Sequence, residues 1–83
     1  MGKIITKIVI VHNRQNDTAR NMASQIQDWL VHEGRSARIV ETARDIAHPP
    51  STWDGADMVL TLGGDGTLLA VARSVQDLGV PIL

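Results

Sequence analysis

The sequence contains no cysteine, no phenylalanine and no tyrosine. Without cysteine there are no disulfide staples, thiolate zinc sites or cysteine nucleophiles, so a bound metal would have to use oxygen or nitrogen ligands. The absence also suits a reducing compartment, and a cytoplasmic location is expected. Trp29 and Trp53 are the whole aromatic complement, too few and too far apart for base-stacking platforms. Neither sign of charge dominates: eight basic side chains face nine acidic ones, a formal charge of −1. Nucleic acid and anionic membranes select a basic footprint, so neither is an expected partner. The longest apolar runs, Ile8 to Val11 and Met58 to Leu62, fall far short of the roughly 20 residues that span a bilayer. No basic segment followed by a long apolar one opens the chain as a signal peptide would. Met1-Gly2 with Thr6 fits the loose N-myristoylation pattern. However, Ile4 and Ile5 read as the start of a core strand, and no polybasic cluster supplies a second anchor.

What is present is 83 residues, 43% of them hydrophobic. Such a chain buries roughly 60–65% of the surface its unfolded form exposes, enough for one modest core and too little for a two-lobed enzyme. Ile4 to Val11 is β-branched and nearly continuous in apolar character, the pattern of a strand covered on both faces in a parallel sheet. His12 to Asp17 breaks that run with turn and capping residues, and Asp17 is the expected N-cap of a helix. Ala19, Met22, Ala23, Ile26 and Leu30 then share one helical face and are expected in the core, and Gly34 supplies the stop. Both tryptophans are likewise read as packing residues. Ala37 to Glu41, polar at alternate positions, reads as an outer strand.

Between Thr42 and Ala56 the periodicity fails; Pro49-Pro50 and Asp54-Gly55 are turn signals, and only Arg44 to Ala47 has helical character. Asp57 opens a second apolar strand, Met58 to Leu62, which ends abruptly in Gly63-Gly64-Asp65-Gly66-Thr67. Leu68, Val71, Ala72, Val75 and Leu78 follow at helical spacing, Gly79 is a stop, and Val80 to Leu83 begins a further strand. This order predicts an α/β fold: an open parallel sheet with flanking helices and right-handed crossovers. The chain ends as a strand begins, whereas domain boundaries more often fall in polar linkers, so an incomplete domain is expected.

The glycine loop is the feature that carries chemistry. It joins the carboxyl end of a buried strand to a helix N-terminus. There, free backbone N–H groups and the helix dipole attract an anion, and glycines admit a phosphate where a Cβ would clash. Two standard phosphate motifs are excluded by inspection. A Walker A loop needs Gly-Lys before Ser or Thr, and Gly66 leads directly to Thr67; a dinucleotide fingerprint needs a third glycine where Leu69 stands. Asp65 is out of place in an anion loop unless it has its own task, either coordinating Mg²⁺ or accepting the proton of an attacking hydroxyl. Equally, Asp65 or Thr67 suits a simple helix cap.

In open α/β sheets the ligand crevice lies at the carboxyl ends of strands, near the switch in strand order. If the first and third strands are neighbours, the turn from His12 to Asp17 and the glycine loop frame one crevice. His12 would then stand near it, and Arg14 is either a phosphate ligand or a solvated surface arginine. His32 and His48 have no partners at metal-ligand spacing.

Gly63-Gly64-Asp65-Gly66-Thr67 resembles the signature shared by NAD kinases, the diacylglycerol and sphingosine lipid kinases and, with variation, the phosphofructokinases. Leu68-Leu69-Ala70-Val71-Ala72-Arg73 is similar to the helix start of NAD kinases, where lipid kinases place a polar residue and then Glu after the first Leu. Val80 to Leu83 resembles the NAD kinase strand leading into a Gly-x-Asn-x-Gly segment. Ile8 to Arg14 resembles that family's first strand and turn and lacks the Asn-Pro turn of lipid kinases.

The resemblance covers nearly the whole chain but only the family's N-terminal α/β part, a Rossmann-like, phosphofructokinase-like domain. The family's Asn-Glu/Asp motif and its C-terminal β-rich domain lie outside it. It implies, for the full-length parent, phosphorylation of NAD at the adenosine ribose 2′-hydroxyl by ATP or polyphosphate to give NADP. Asp65 would be the general base; Gly63, Gly64, Gly66, Thr67 and Leu68 would form the phosphate loop, with Arg14 as a further contact. A divalent metal such as Mg²⁺ would arrive with the donor, and a homo-oligomer is expected of the full-length form. The 83-residue chain alone is expected to be inactive. A diacylglycerol-type lipid kinase and a non-catalytic nucleotide-binding or phosphate-binding module are the alternatives.

Overall fold

A computed structural model describes residues 5–42, 50–75 and 78–83. The strands are β1 (Lys7–Asn13), β2 (Ser36–Thr42) and β3 (Met58–Leu62), and the helices are α1 (Asp17–His32) and α2 (Asp65–Val75). They form a parallel sheet of order β2-β1-β3. β1 is central because it can be: Ile8, Val9, Ile10 and Val11 are all buried, so both of its faces need cover. β2, polar at alternate positions, takes the edge, as its sequence predicts. The first and third strands are neighbours, with Ile8 to His12 in register with Met58 to Leu62.

The alternation of side chains along β1 divides the core in two. Ile8 and Ile10 face α1 and pack with Ala23 and Leu30, with Ile39 and Leu60 beside them. Val9 and Val11 face the other way and pack with Val59, Trp53, Val71 and Val75 beneath α2. The strand order reverses at β1, so the two helices cover opposite faces and the β1/β3 boundary is the switch point.

Local chemistry sets the helix ends. The α1 N-cap is Asn16, not Asp17: the Asn16 side chain accepts from the Ala19 amide at 2.9 Å, while Asp17 lies in the first turn and pairs with Arg20. The two adjacent residues are both good caps, and Asn16 is the one with the extended backbone that a cap requires. At the other end Gly34 has φ +82°; its amide donates to Val31 and that of Arg35 to Leu30, the paired bonds of a Schellman stop. At the amino edge of the sheet, Asp57 accepts from the amides of Thr6 and Lys7, both at 3.0 Å, fixing the start of β3 against that of β1.

Other expectations change as well. β1 begins at Lys7 and runs on to Asn13, because β2 continues to Thr42 and pairs with it. Met22 and Trp29 are exposed, at 47% and 60%; they are seven residues apart, on the flank of α1, while Ala19, Ala23 and Leu30 lie against the sheet. Trp53, by contrast, is buried as expected of a packing residue, and the turn signals around it fold into a 3-10 turn at Pro50–Trp53. The described part of α2 ends at Val75, and Leu78 is exposed outside it. The expected helical character of Arg44 to Ala47 falls outside the described residues. Val80 to Leu83 does begin to pair, with Leu83 donating to the Val59 carbonyl at 2.8 Å and a parallel bridge between Val59 and Ile82. No helix among the described residues is long and apolar enough to cross a membrane.

Candidate functional site

The glycine loop lies at the carboxyl end of β3, beside the carboxyl end of β1. Gly63 turns the chain out of the sheet with φ +147°, a backbone conformation that side chains other than hydrogen rarely permit. Space forbids a side chain there as well, since a Cβ on Gly63 would fall 2.8 Å from Thr67 Oγ1. Thr67 is itself buried and folds back over this turn. α2 starts at once: the amides of Thr67 and Leu68 both donate to the Gly64 carbonyl, at 3.1 and 3.3 Å. The helix therefore includes Asp65 and Gly66 in its first turn, and N–H groups at such an end have no carbonyl a turn earlier to bond.

Gly64 and Gly66 differ from Gly63. A Cβ on either meets nothing within 4 Å, and neither has the positive φ that favours glycine. Of the three loop glycines, the fold demands only Gly63. The other two leave open space over the first turn of a helix, where the dipole favours an anion.

Next to this turn is a crevice of about 470 Å³. Asn13 and Thr42 line it from the ends of β1 and β2, where they are a register pair on the α2 face. Gly66, Thr67, Leu69, Ala70 and Arg73 line it from α2. Thr42 is 2% exposed, and its hydroxyl has no hydrogen-bond partner among the described residues. Asn13 Oδ1 accepts from the Gln15 amide at 2.9 Å, which holds the turn after β1. Among the described residues no group of three His, Asp or Glu side chains is placed to hold a metal ion.

The residues expected at the site separate accordingly. Gly63, Gly64, Gly66 and Thr67 come together at the loop, and Asp65 opens α2; the Asp65 side chain lies outside the described part of the structure. Leu68 is 44% exposed and does not line the crevice, whereas Leu69 does. Arg14 is on the outside of the β1 turn, its guanidinium 3.7 Å from Glu41, both largely solvated. His12 is buried, but alternation places it on the α1 face, so its neighbour Asn13 reaches the crevice instead. Thr42, Asn13 and Arg73 were missed by sequence reasoning. The available signal was alternation: each of the first two is a polar residue ending a strand, and the parallel register sets them side by side.

Residues 47–83 match the family model of the ATP-NAD kinase N-terminal domain. The NAD kinase of Nitratidesulfovibrio vulgaris strain DP4 is 39% identical over 79 residues, covering 95% of this chain and 26% of that protein. The enzyme of the same name from strain Miyazaki F is 35% identical over 83 residues, covering 100% of this chain and 29% of the relative. The NAD kinase of Syntrophobacter fumaroxidans is 31% identical over 85 residues, with coverage of 92% and 29%. This chain is similar to the NAD kinases. It spans under a third of the length of these NAD kinase relatives. The stretch matched by the NAD kinase family model runs through β3, the glycine loop and α2, while Asn13 and Thr42 precede it.

Proposed function

We propose that this chain is the phosphate-binding N-terminal α/β domain of an NAD kinase, completed in the full-length protein by a C-terminal β-rich domain. The reaction is transfer of a terminal phosphoryl group from ATP or polyphosphate to the 2′-hydroxyl of the adenosine ribose of NAD, giving NADP. The observation that carries this reading is the glycine loop at the β1/β3 switch point, with space left open at Gly64 and Gly66 over the first turn of α2.

The roles follow from the chemistry of the loop. Gly63 makes the turn, Gly64 and Gly66 admit the phosphate, and Thr67 closes the turn from beneath. Asp65 is the general base: its carboxylate takes the proton of the 2′-hydroxyl as that oxygen bonds to the terminal phosphorus and the donor's bridging oxygen departs with its electron pair. A divalent cation such as Mg²⁺ would arrive with the donor, held chiefly by its phosphates and water, as this ion usually is. Among the described residues no group of three His, Asp or Glu side chains is placed to hold it, and when bound it would neutralise phosphate charge. Arg14, paired with Glu41 on the outer side of its turn, is not assigned to the donor.

The test is NADP formation by the full-length protein and its Asp65→Asn variant. Loss of about 10²–10⁴-fold in turnover, with NAD binding retained, is the expectation for a lost general base. An unchanged rate removes the assignment of Asp65, and phosphorylation of a lipid alcohol in place of NAD removes the reading itself.

A further inference from the structure

Helix α1 covers only part of its face of the sheet. It packs on β1 and β2, and Gln27 fixes which flank is turned to β2, its Nε2 donating to the Ala37 carbonyl at 2.9 Å. At about 100° per residue, Gln27 stands roughly 40° to one side of the buried Ala23, while Ile26, Met22 and Trp29 stand roughly 60°, 100° and 120° to the other. Those three therefore point away from β2, to the side where β3 lies. Ile26 is half-buried, and Met22 and Trp29 are exposed.

β3 presents apolar side chains on the same face. Met58, Leu60 and Leu62 are in register with Ile8, Ile10 and His12 of β1, so they share the α1 face, and all three are only half-buried. Beyond β3 the sheet continues with residues 80–83, where Ile82 bridges to Val59. Val59 belongs to the α2 face, so alternation turns Leu83, which is exposed, to the α1 face. The flank of α1 and these strand residues form the wall and floor of one apolar trough.

The trough is patterned for contact with protein. A helix flank that faces water normally carries charge, yet Asp17, Arg20 and Asp28, the charged residues of α1, all fall on the Gln27 side. A parallel sheet is covered on both faces, and the next crossover does not supply this cover. The step from β3 through α2 to residues 80–83 moves outward with α2 on the opposite face, and a further right-handed step in that direction puts its helix on that face again. The chain spans under a third of the length of its NAD kinase relatives. A segment joined to the same chain meets the trough at a far higher effective concentration than a second molecule does.

Resting on the reading of this chain as one domain of a longer kinase, we propose that the trough between α1 and β3 is the docking site for an apolar segment that follows residue 83 in the full-length protein and returns to the α1 face. Trp29 is the anchor of that contact, since a large aromatic side chain buries the most area of any residue in the trough. Met22 and Ile26 flank it on the wall.

The experiment is hydroxyl-radical footprinting of the full-length protein, with mass spectrometry of the peptides that carry Met22, Trp29 and Trp53. Trp29 should be oxidised as slowly as Trp53, which is buried within the domain, and Met22 should be protected with it. A photoreactive benzophenone side chain placed at position 29 should crosslink, within one molecule, to a peptide beyond residue 83. Trp29→Gln should lower the thermal midpoint of the full-length protein by several degrees, and Arg20→Gln, on the charged side of α1, should leave it unchanged.

Oxidation of Trp29 much faster than that of Trp53 overturns the proposal, as does the absence of a crosslink or one confined to residues 1–83. A crosslink joining two molecules also overturns it and assigns the face to a second copy. NADP formation is measured on the same preparation. Activity with an exposed Trp29 removes the docking site and leaves the kinase reading standing, whereas a protected and crosslinked Trp29 in a protein that does not phosphorylate NAD removes the kinase reading alone.

Discussion

Replacing Gly63 by alanine separates what the fold requires of the glycine loop from what a ligand requires. Two penalties act together at this position. A residue at φ +147° sits in a region open essentially to glycine, at about 1–3 kcal/mol. The new Cβ would also press on Thr67, at 2.8 Å from Oγ1 and 3.3 Å from its Cβ, and Thr67 is buried with little room to yield. The total is about 2–4 kcal/mol, a large part of the roughly 5–10 kcal/mol that holds a domain of this size. On the usual scaling it lowers the thermal midpoint by on the order of 10–20 °C. Urea unfolding of Gly63→Ala, Gly64→Ala and Thr67→Ala, with the double variant Gly63→Ala/Thr67→Ala, measures it. Removing Oγ1 should relieve part of the Gly63→Ala cost, a coupling of about 1 kcal/mol in the double-mutant cycle. Gly64→Ala, with open space at its Cβ, should stay within about 0.5 kcal/mol of the parent and yet lose phosphate binding. The reasoning is refuted if Gly64→Ala destabilises as much as Gly63→Ala.

Other outcomes follow from the same geometry. Gly66→Ala should stabilise the chain by about 0.5–1 kcal/mol, since alanine is the better helix former, and should weaken phosphate binding; a stabilised variant with intact binding would show that nothing approaches that position. Asn16→Ala removes the acceptor for the Ala19 amide and should cost about 1 kcal/mol in urea unfolding, whereas Asp17→Ala should cost less because its partner Arg20 is solvated. Arg14→Ala should leave donor affinity unchanged in a binding titration, because its guanidinium faces Glu41.

Much of the fold was legible because burial patterns are local. The run from Ile8 to Val11 is apolar at every position, and only a strand covered on both faces needs that; its central place followed. The alternation in β2 marked an edge for the same reason. Helix α1 was legible in its inner face at Ala19, Ala23 and Leu30, but periodicity cannot say how wide that face is. Met22 and Trp29 therefore passed for core until the sheet's limited width left them outside. Trp53 is the packing residue it was expected to be; with no period among turn signals to say what it packs on, only the tertiary structure puts it with Val59, Val71 and Val75.

The sequence by itself determined the parallel α/β order, the glycine loop between β3 and α2, and the resemblance to NAD kinases, since each is written in contiguous residues whose preferences are short-ranged. Only the tertiary structure decided that β1 and β3 are neighbours, that Asn13 and Thr42 share a face across a register pair, and that Arg73 lines their crevice while Arg14 does not. Those relations join residues far apart in the chain. They are settled when burying both faces of β1 forces the strand order and the sides the helices take, which no local preference encodes.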